Sequence, residues 1–210
     1  AFPVIKEALD KRAQAIEDAE KEFALELLTP DEAVQRAMAR GASGAPVVLA
    51  DTQDNPGAGG ASDTTGLLKA LVEGGAEDAV FANLCDPKSA EVAHRAGIGT
   101  EISLAIGGWA GGAGNTPYQG TFVVVALGDG YFKATGPFCR GNRMQLGPMA
   151  VLKTNGVRVV LTSRKQQCAD QAMLRHVGIE PMRQKILALK SSVHFRADFQ
   201  PIASAVIVVA

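Results

Sequence analysis

The first forty residues carry apolar positions at the spacing of an α-helix. Ile5, Leu9, Ile16, Phe23 and Leu27 recur at steps of three or four residues, or at multiples of these steps, with charged residues between them. This pattern predicts an amphipathic helix whose apolar side needs a partner surface.

A second helix is predicted from Thr29 to about Arg40, because Thr29 and Glu32 have the spacing of a capping box. Fifteen of the 43 charged residues (21 basic and 22 acidic) lie in this N-terminal part of the chain. We therefore interpret residues 1–40 as a solvated helical lead-in from a missing N-terminal domain, and residues 41–210 as the main domain, with the boundary near Gly41.

After residue 45 the pattern changes to short β-rich runs that alternate with helical ones, which is typical of a parallel sheet. Glycine-rich turns separate the strands in the middle of the chain, so an antiparallel section is expected there, with residues 127–131 as a hairpin connection. The predicted fold class is α/β, with a mixed, mainly parallel sheet, flanking helices and the N-terminal helical lead-in. Strands are predicted at 46–50, 79–85, 101–106, 121–127, 131–134, 157–162, 186–189 and 205–209, and helices at 63–74, 88–96 and 170–177.

Composition narrows the possible partners and the location. The chain has 210 residues, of which 47% are hydrophobic, so it can bury a sizeable core. Its formal net charge of -1 gives no field that would attract nucleic acid or an anionic membrane, and no apolar run approaches the roughly 20 residues of a membrane span. Three cysteines without a CxxC pair favour reduced thiols and a cytoplasmic location. Because the chain begins with Ala1 rather than Met, we expect it to be part of a longer protein.

The first candidate site is an acidic, glycine-rich segment between a predicted strand and a predicted helix. Ligands bind at this position in open α/β sheets, because strand ends and helix N-termini meet there. Ser62 or Asp63 is expected to cap the helix. The alternative is a long loop whose polar residues serve only its turns and cap. The candidate substrate-binding residues in this segment are Asp51, Asp54, Asn55, Gly57 and Asp63.

Phosphate is a poor ligand for this segment. It contains no GK[ST] sequence and lacks the third glycine of the dinucleotide-binding fingerprint. Its three carboxylates would repel a pyrophosphate and suit a cation, an amine or a metal-bound substrate better.

The second candidate site follows the apolar run 186–189. Arg196 presents a planar fork for a carboxylate, and Lys190 adds a point charge next to Ser191. His194 can exchange a proton near neutral pH. Together these groups could hold a peptide carboxylate or stabilise an oxyanion, although a histidine at the start of a helix is often only structural.

Other motifs are less informative. His94 and His176 have no metal-ligating partner at i+3 or i+4, and the chain contains neither HExxH nor GxSxG. Trp109 lies in the glycine-rich run 107–114, which is either a flap over a site or an ordinary long loop.

These residues resemble the C-terminal domain of the microcystinase C (MlrC) metallopeptidases over about residue 41 to the end. The likeness depends on several short motifs taken together. They are 47–51, 54–57, 63–65, Asp86-Pro87, 146–148 with 150–152, Ser163-Arg164, 178–181, Lys190-Ser191 and 194–197.

The resemblance implies the C-terminal, substrate-shaping domain of a zinc-dependent peptidase that hydrolyses small or linear peptides. It places the zinc ligands in the N-terminal domain, so no metal ligand is assigned in this chain. Arg196 and His194 are the implied catalytic residues, and the fragment alone is expected to be inactive. The implied partners are the protein's own N-terminal metal-binding domain and a peptide substrate, and a homo-oligomer is a further option.

Two other functions remain open. One is a non-catalytic module whose glycine loop holds a small anion and whose first helix docks on another subunit. The other is a hydrolase of the same family that acts on an amide or another small substrate rather than a peptide.

Overall fold

A computed structural model describes residues 2–23, 25–40, 44–112 and 115–210. Within these ranges the chain forms six α-helices: α1 (Phe2–Asp18), α2 (Pro30–Arg40), α3 (Gly66–Glu73), α4 (Pro87–Ala96), α5 (Ala172–His176) and α6 (Arg196–Phe199). The strands are β1 (Leu27–Leu28), β2 (Val47–Asp51), β3 (Ala79–Cys85), β4 (Glu101–Ile106), β5 (Tyr118–Gly128), β6 (Tyr131–Lys133), β7 (Arg143–Gln145), β8 (Met149–Thr154), β9 (Val157–Thr162), β10 (Ile186–Lys190) and β11 (Ala205–Val209).

Nine of these strands form one sheet in the order β1-β11-β2-β10-β3-β9-β8-β5-β4. The strands from β1 to β9 in this order run parallel, whereas the β9-β8, β8-β5 and β5-β4 pairs are antiparallel. The predicted fold class, a mixed and mainly parallel α/β sheet with an antiparallel section, is therefore confirmed.

Helices cover both faces of the parallel part of the sheet. Alternate residues of β2 point to opposite sides: Val47 and Leu49 belong to the core that includes α2, α3 and α4, whereas Val48 and Ala50 belong to the core that includes α5 and α6. All five β2 residues are buried, as expected for a strand covered on both faces.

The N-terminal helices differ in how they pack. Helix α2 begins with the predicted capping box, in which Glu32 accepts hydrogen bonds from the Thr29 N–H (3.0 Å) and hydroxyl (2.7 Å), and it buries Ala33, Val34 and Ala37 in the main core. Ile5, Leu9 and Ile16 of α1, in contrast, are exposed. The boundary near Gly41 lies outside the described residues, and the division at residue 40 stays a prediction.

The hairpin predicted at residues 127–131 is wrong. Strand β5 pairs with β4 and β8, and β6 pairs with β7 in a separate two-stranded sheet. The turn around Gly130 therefore leads the chain out of the main sheet. Strand β8 was missed by the prediction, although it joins the parallel and antiparallel parts of the sheet.

No helix in the described part of the chain combines the length and the apolar character that crossing a bilayer requires.

Candidate functional site

Three adjacent parallel strands bring the predicted polar residues together at the carboxyl ends of the strands. Strand β10 lies between β2 and β3, and Lys190, its last residue, is in register with Asp51, the last residue of β2. Strand β9, the next neighbour of β3, ends just before a polar segment that includes Gln167. These strand ends organise two side-chain clusters.

The first is an ionic cluster around Lys190, which is fully buried. The Lys190 ammonium lies 3.0 Å from an oxygen of Asp51 and 3.4 Å from an oxygen of Asp54, and it donates to the Thr64 hydroxyl at 2.6 Å. It also lies 5.3 Å from the centre of the Phe81 ring. A buried charge is tolerated only when it is paired and hydrogen-bonded, and these contacts meet that condition.

Asp54 shapes the glycine-rich loop as well as pairing with Lys190. Its carboxylate accepts hydrogen bonds from the backbone N–H groups of Ser62 (2.8 Å), Asp63 (2.5 Å) and Thr64 (2.9 Å). Burial alone would raise the pKa of Asp54. The bond from Thr64, the Lys190 charge and the bonds from Ser62 and Asp63 outweigh burial and hold this pKa below its ordinary value.

These bonds explain why α3 begins later than predicted. Its N-cap is Thr65, whose hydroxyl donates to the Thr116 carbonyl at 2.7 Å and makes no capping bond. The N–H groups of the three preceding residues point to Asp54. The expectation that Ser62 or Asp63 caps α3 is therefore wrong. Asn55 instead caps a short 3-10 helix, Pro56–Ala58, by accepting from the Gly57 N–H at 3.0 Å.

Asp63 anchors the other glycine-rich segment. One carboxylate oxygen accepts from the Ala110 N–H at 2.6 Å, and the other lies 3.2 Å from the side-chain nitrogen of Asn115. A cleft of about 480 Å³ lies here, lined by residues that include Asp54, Asp63 and Asn115. The buried Asn115 Oδ1 has no hydrogen-bond partner among the described residues.

The second cluster centres on Gln167. Its Oε1 lies 3.1 Å from His194 Nδ1 and accepts from the buried Ser191 hydroxyl at 3.2 Å. The Phe138 ring stacks on the imidazole with 4.1 Å between ring centres. Because Gln167 Oε1 is an acceptor, His194 Nδ1 carries the proton of this bond. In the described residues nothing hydrogen-bonds to His194 Nε2, which is left to accept a hydrogen bond or a proton.

Gly57 of the glycine-rich loop lies against Gln167 of the second cluster. A β-carbon at this position would lie 2.9 Å from the amide atoms of Gln167, so a side chain here would displace the group that holds His194. Gln167 was missed by the sequence prediction. The available signal was its position just after β9, a neighbouring strand end.

Arg196 is the first residue of α6 and is half-buried. Its contacts among the described residues are a 3.4 Å hydrogen bond from Nη1 to Gln200 and a 5.3 Å approach to the Phe195 ring. The structure thus brings Lys190, Asp51 and Asp54 together, and Ser191 and His194 together. It shows no contact of Arg196 with either cluster in the part of the chain that it describes.

The carboxylates of Asp51, Asp54 and Asp63 do not fit a metal centre. Asp51 and Asp54 face the Lys190 ammonium, and Asp63 faces backbone and amide donors. Across the described ranges, no group of three or more His, Cys, Asp or Glu side chains is arranged to hold a metal ion.

Three other predicted candidates have structural contacts. His94 Nε2 lies 2.9 Å from the Met149 carbonyl, and His176 Nε2 accepts from the Gly130 N–H at 3.1 Å. Ser163 donates to the Pro148 carbonyl at 2.6 Å. Cys85 is also a poor nucleophile, because burial and then the Asp86 charge raise its pKa to about 11.

Comparison with known proteins identifies the family. The family model described as "MlrC C-terminus" matches residues 49–210. This chain belongs to that family. It is 29% identical over 173 residues to Microcystinase C from a Sphingomonas species, a match that covers 82% of this chain and 33% of that protein.

A solved structure extends the likeness. The crystal structure described as "Putative metallopeptidase", from Mesorhizobium sp. BNC1, superimposes with a TM-score of 0.78 and 25% identity, over 92% of this chain and 38% of that one. The predicted resemblance to the MlrC C-terminal domain is thus confirmed, and the chain is a domain of a peptidase-related family. It spans about a third of the length of these two relatives.

Proposed function

We propose that this chain is the substrate-shaping C-terminal domain of a zinc-dependent peptidase that hydrolyses small or linear peptides. The relatives named as a microcystinase and as a metallopeptidase support a metal-dependent hydrolase. Because Asp51, Asp54 and Asp63 are already paired with groups of this chain, the metal is held by the protein's own N-terminal domain in this proposal. The same reasoning makes that domain the first partner of this chain.

The observation that carries the proposal is the orientation of His194. Gln167 holds its Nδ1, Phe138 stacks on its ring, and Nε2 has no hydrogen-bond partner among the residues that the structure describes. An imidazole held in this way can donate to or accept from a peptide group without first ordering its side chain, which lowers the entropic cost of binding.

Arg196 has the complementary role of binding negative charge. A 3.4 Å bond to Gln200 occupies one of its five N–H donors, so its guanidinium can hold a peptide carboxylate or a developing oxyanion. Asp51, Asp54, Asn55, Gly57, Asp63, Lys190 and Ser191 act in this proposal mainly as positioning residues. Their direct contact with substrate stays a prediction, because the contacts that the structure gives them are internal.

The test is Arg196→Ala in the full-length protein, with Arg95→Ala as the matched control. Arg95 is an exposed arginine of α4 that pairs with Glu91 at 2.6 Å. We expect Arg196→Ala to lower kcat/KM for a peptide at least about a hundredfold, the loss typical of a transition-state donor, with the melting temperature unchanged. If both arginine variants retain full turnover, the proposed role of Arg196 is wrong.

The small-anion alternative is less well supported. The backbone N–H groups of residues 62–64, which would cradle a phosphate, already donate to Asp54. Inorganic phosphate and nucleotides should therefore leave the melting temperature of this chain unchanged, and stabilisation by either would favour a binding module.

Two further expectations belong to this proposal. The three cysteines are free thiols, which accords with the predicted cytoplasmic location. The exposed apolar residues of α1, which include Ile5, Leu9 and Ile16, accord with docking on the N-terminal domain or on a second copy of the chain.

A related member of the family that acts on a small amide would use the same arrangement. Turnover assays with peptides and with simple amides separate the two substrate classes.

A further inference from the structure

A second cleft, which the proposed function does not use, lies on the other side of the glycine-rich run that contains Trp109. It has a volume of about 420 Å³, and its lining residues include Pro87, Ala105, Trp109 and Pro117. These four side chains are apolar, whereas Asp86, Lys88 and Ser89 add polar groups to the lining. Trp109 is 54% exposed. The volume lies within the range of small-molecule sites.

The indole is held in place although half of it is exposed. Its Nε1 donates to the Cys85 carbonyl at 2.9 Å. The backbone before it is fixed as well: the Gly107 N–H donates to the Asp86 carboxylate at 2.9 Å, and the Gly108 N–H donates to the Asp63 carbonyl at 2.7 Å. An aromatic surface fixed in this way loses little conformational entropy when a ligand stacks on it.

The cleft has no unpaired anion at its base. Asp86 accepts from the Ser89 N–H at 3.0 Å, from the Ser89 hydroxyl at 2.7 Å and from Gly107. A flat apolar group can therefore enter without leaving a buried carboxylate unsatisfied, which would be costly.

The two clefts share the segment around Trp109 as a common wall. The Ala110 N–H binds Asp63, a lining residue of the 480 Å³ cleft, whereas the neighbouring Trp109 lines the apolar one. A peptide held near Asp63 would thus lie beside the segment that carries Trp109.

We propose that the Trp109 cleft is a subsite for an aromatic side chain of the peptide substrate, which stacks on the indole between Pro87 and Pro117. This inference rests on the proposed peptidase function and extends it by naming a preferred substrate class. It assigns binding to Trp109 and no step of the chemistry.

Trp109 is the only tryptophan of the chain, so its fluorescence reports this cleft directly. We would titrate the 210-residue protein with N-acetyl-phenylalanine amide and, as the matched probe, N-acetyl-alanine amide. The expected result is a saturable change in emission with the phenylalanine probe, with a dissociation constant on the order of 1–10 mM, and none with the alanine probe. Equal responses to both probes, or no saturation with phenylalanine, would overturn the proposal.

A variant in the full-length protein separates this proposal from the peptidase function. Trp109→Ala should reduce the preference for a phenylalanine-containing peptide over its alanine counterpart at least about tenfold, with the turnover of the alanine peptide retained. Tyr131→Ala, which removes an equally exposed aromatic side chain of β6 (59%), should leave the preference unchanged. An unaltered preference in Trp109→Ala would refute the subsite and leave the peptidase function standing, whereas the fluorescence titration remains valid even if no peptide is cleaved.

Discussion

A β-carbon added at Gly57 would lie 2.9 Å from the side-chain amide atoms of Gln167. This distance is shorter than a van der Waals contact, so one of the two side chains would have to move. Gln167 in turn holds His194 through a 3.1 Å hydrogen bond. The glycine-rich loop and the histidine are therefore coupled through one amide side chain.

Gly57→Ala should alter the surroundings of the His194 ring while lowering the stability of the domain only slightly. The Gln167 side chain can rotate away, so the free energy of unfolding should fall by only about 1 kcal/mol, the low end for overpacking. The bond to His194 Nδ1 should be lost. We expect the imidazole C–H resonances of His194 to shift in an NMR spectrum.

The control for this change is Gly66→Ala. Gly66 begins α3, and a β-carbon there meets nothing within 4 Å. The His194 resonances of the Gly66→Ala variant should have the same chemical shifts as those of the wild type. If the His194 resonances of Gly57→Ala have the same chemical shifts as those of the wild type, Gly57 and His194 are not coupled.

Lys190→Met should strongly destabilise the protein. The substitution keeps most of the side-chain volume but leaves Asp51 and Asp54 buried without their cation. Removal of one partner of a buried pair costs about 3–5 kcal/mol. Urea unfolding would measure this cost.

The matched control for Lys190 is Lys185→Met. Lys185 lies 3.2 Å from Asp78, but both side chains are more than half exposed, so the loss should be at most about 1 kcal/mol. Similar losses in the two variants would show that the buried cluster does not stabilise the domain.

The stabilising effect of Asp54 should depend on pH. The folded state lowers the pKa of this carboxyl, so its ionised form contributes stability above the unfolded pKa of about 3.9. That contribution is lost as the pH falls through the lower, folded pKa. The difference in unfolding free energy between the wild type and Asp54→Asn should therefore be largest above about pH 5 and shrink below pH 4.

Urea titrations at several pH values would check this trend. Asp10→Asn provides the comparison, because Asp10 is an exposed residue of α1 that pairs with Lys6 at the surface. The effect of Asp10→Asn on the unfolding free energy should be small at every pH. A difference for Asp54→Asn that grows as the pH falls would contradict the assigned cause.

Asp63→Ala should loosen the Trp109 segment. The change removes the carboxylate that binds the Ala110 N–H at 2.6 Å, whereas the bond from Gly108 to the Asp63 carbonyl can remain. Amide hydrogen exchange should become faster at Ala110 and change less at Gly108. Unchanged exchange at Ala110 would show that Asp63 does not anchor this segment.

The periodicity of the sequence was sufficient to predict the class of fold. Strands such as β3 and β10 are short apolar runs with helical patterns between them, and this order requires a largely parallel sheet. Both polar segments were expected at strand ends, and the structure places Lys190 beside Asp51 where β10 and β2 end next to each other.

Pairing between distant strands and backbone hydrogen bonding were harder to predict. The turn at residues 127–131 has the composition of a hairpin, but β8 supplies a better partner for β5. The bonds from residues 62–64 to Asp54 involve backbone groups that no side-chain pattern reveals. Gln167 was missed for a related reason, because its role depends on hydrogen bonds with Ser191 and His194 from a distant segment.

In the proposed function His194 acts on the peptide, while the metal is held in the N-terminal domain. The most direct test measures bound zinc and peptide turnover together in full-length protein carrying His194→Ala. The account predicts unchanged zinc content and a kcat/KM lowered at least about a hundredfold, the loss typical of a general acid–base group. Loss of zinc would make His194 a metal ligand and contradict the account, as would full turnover in the variant.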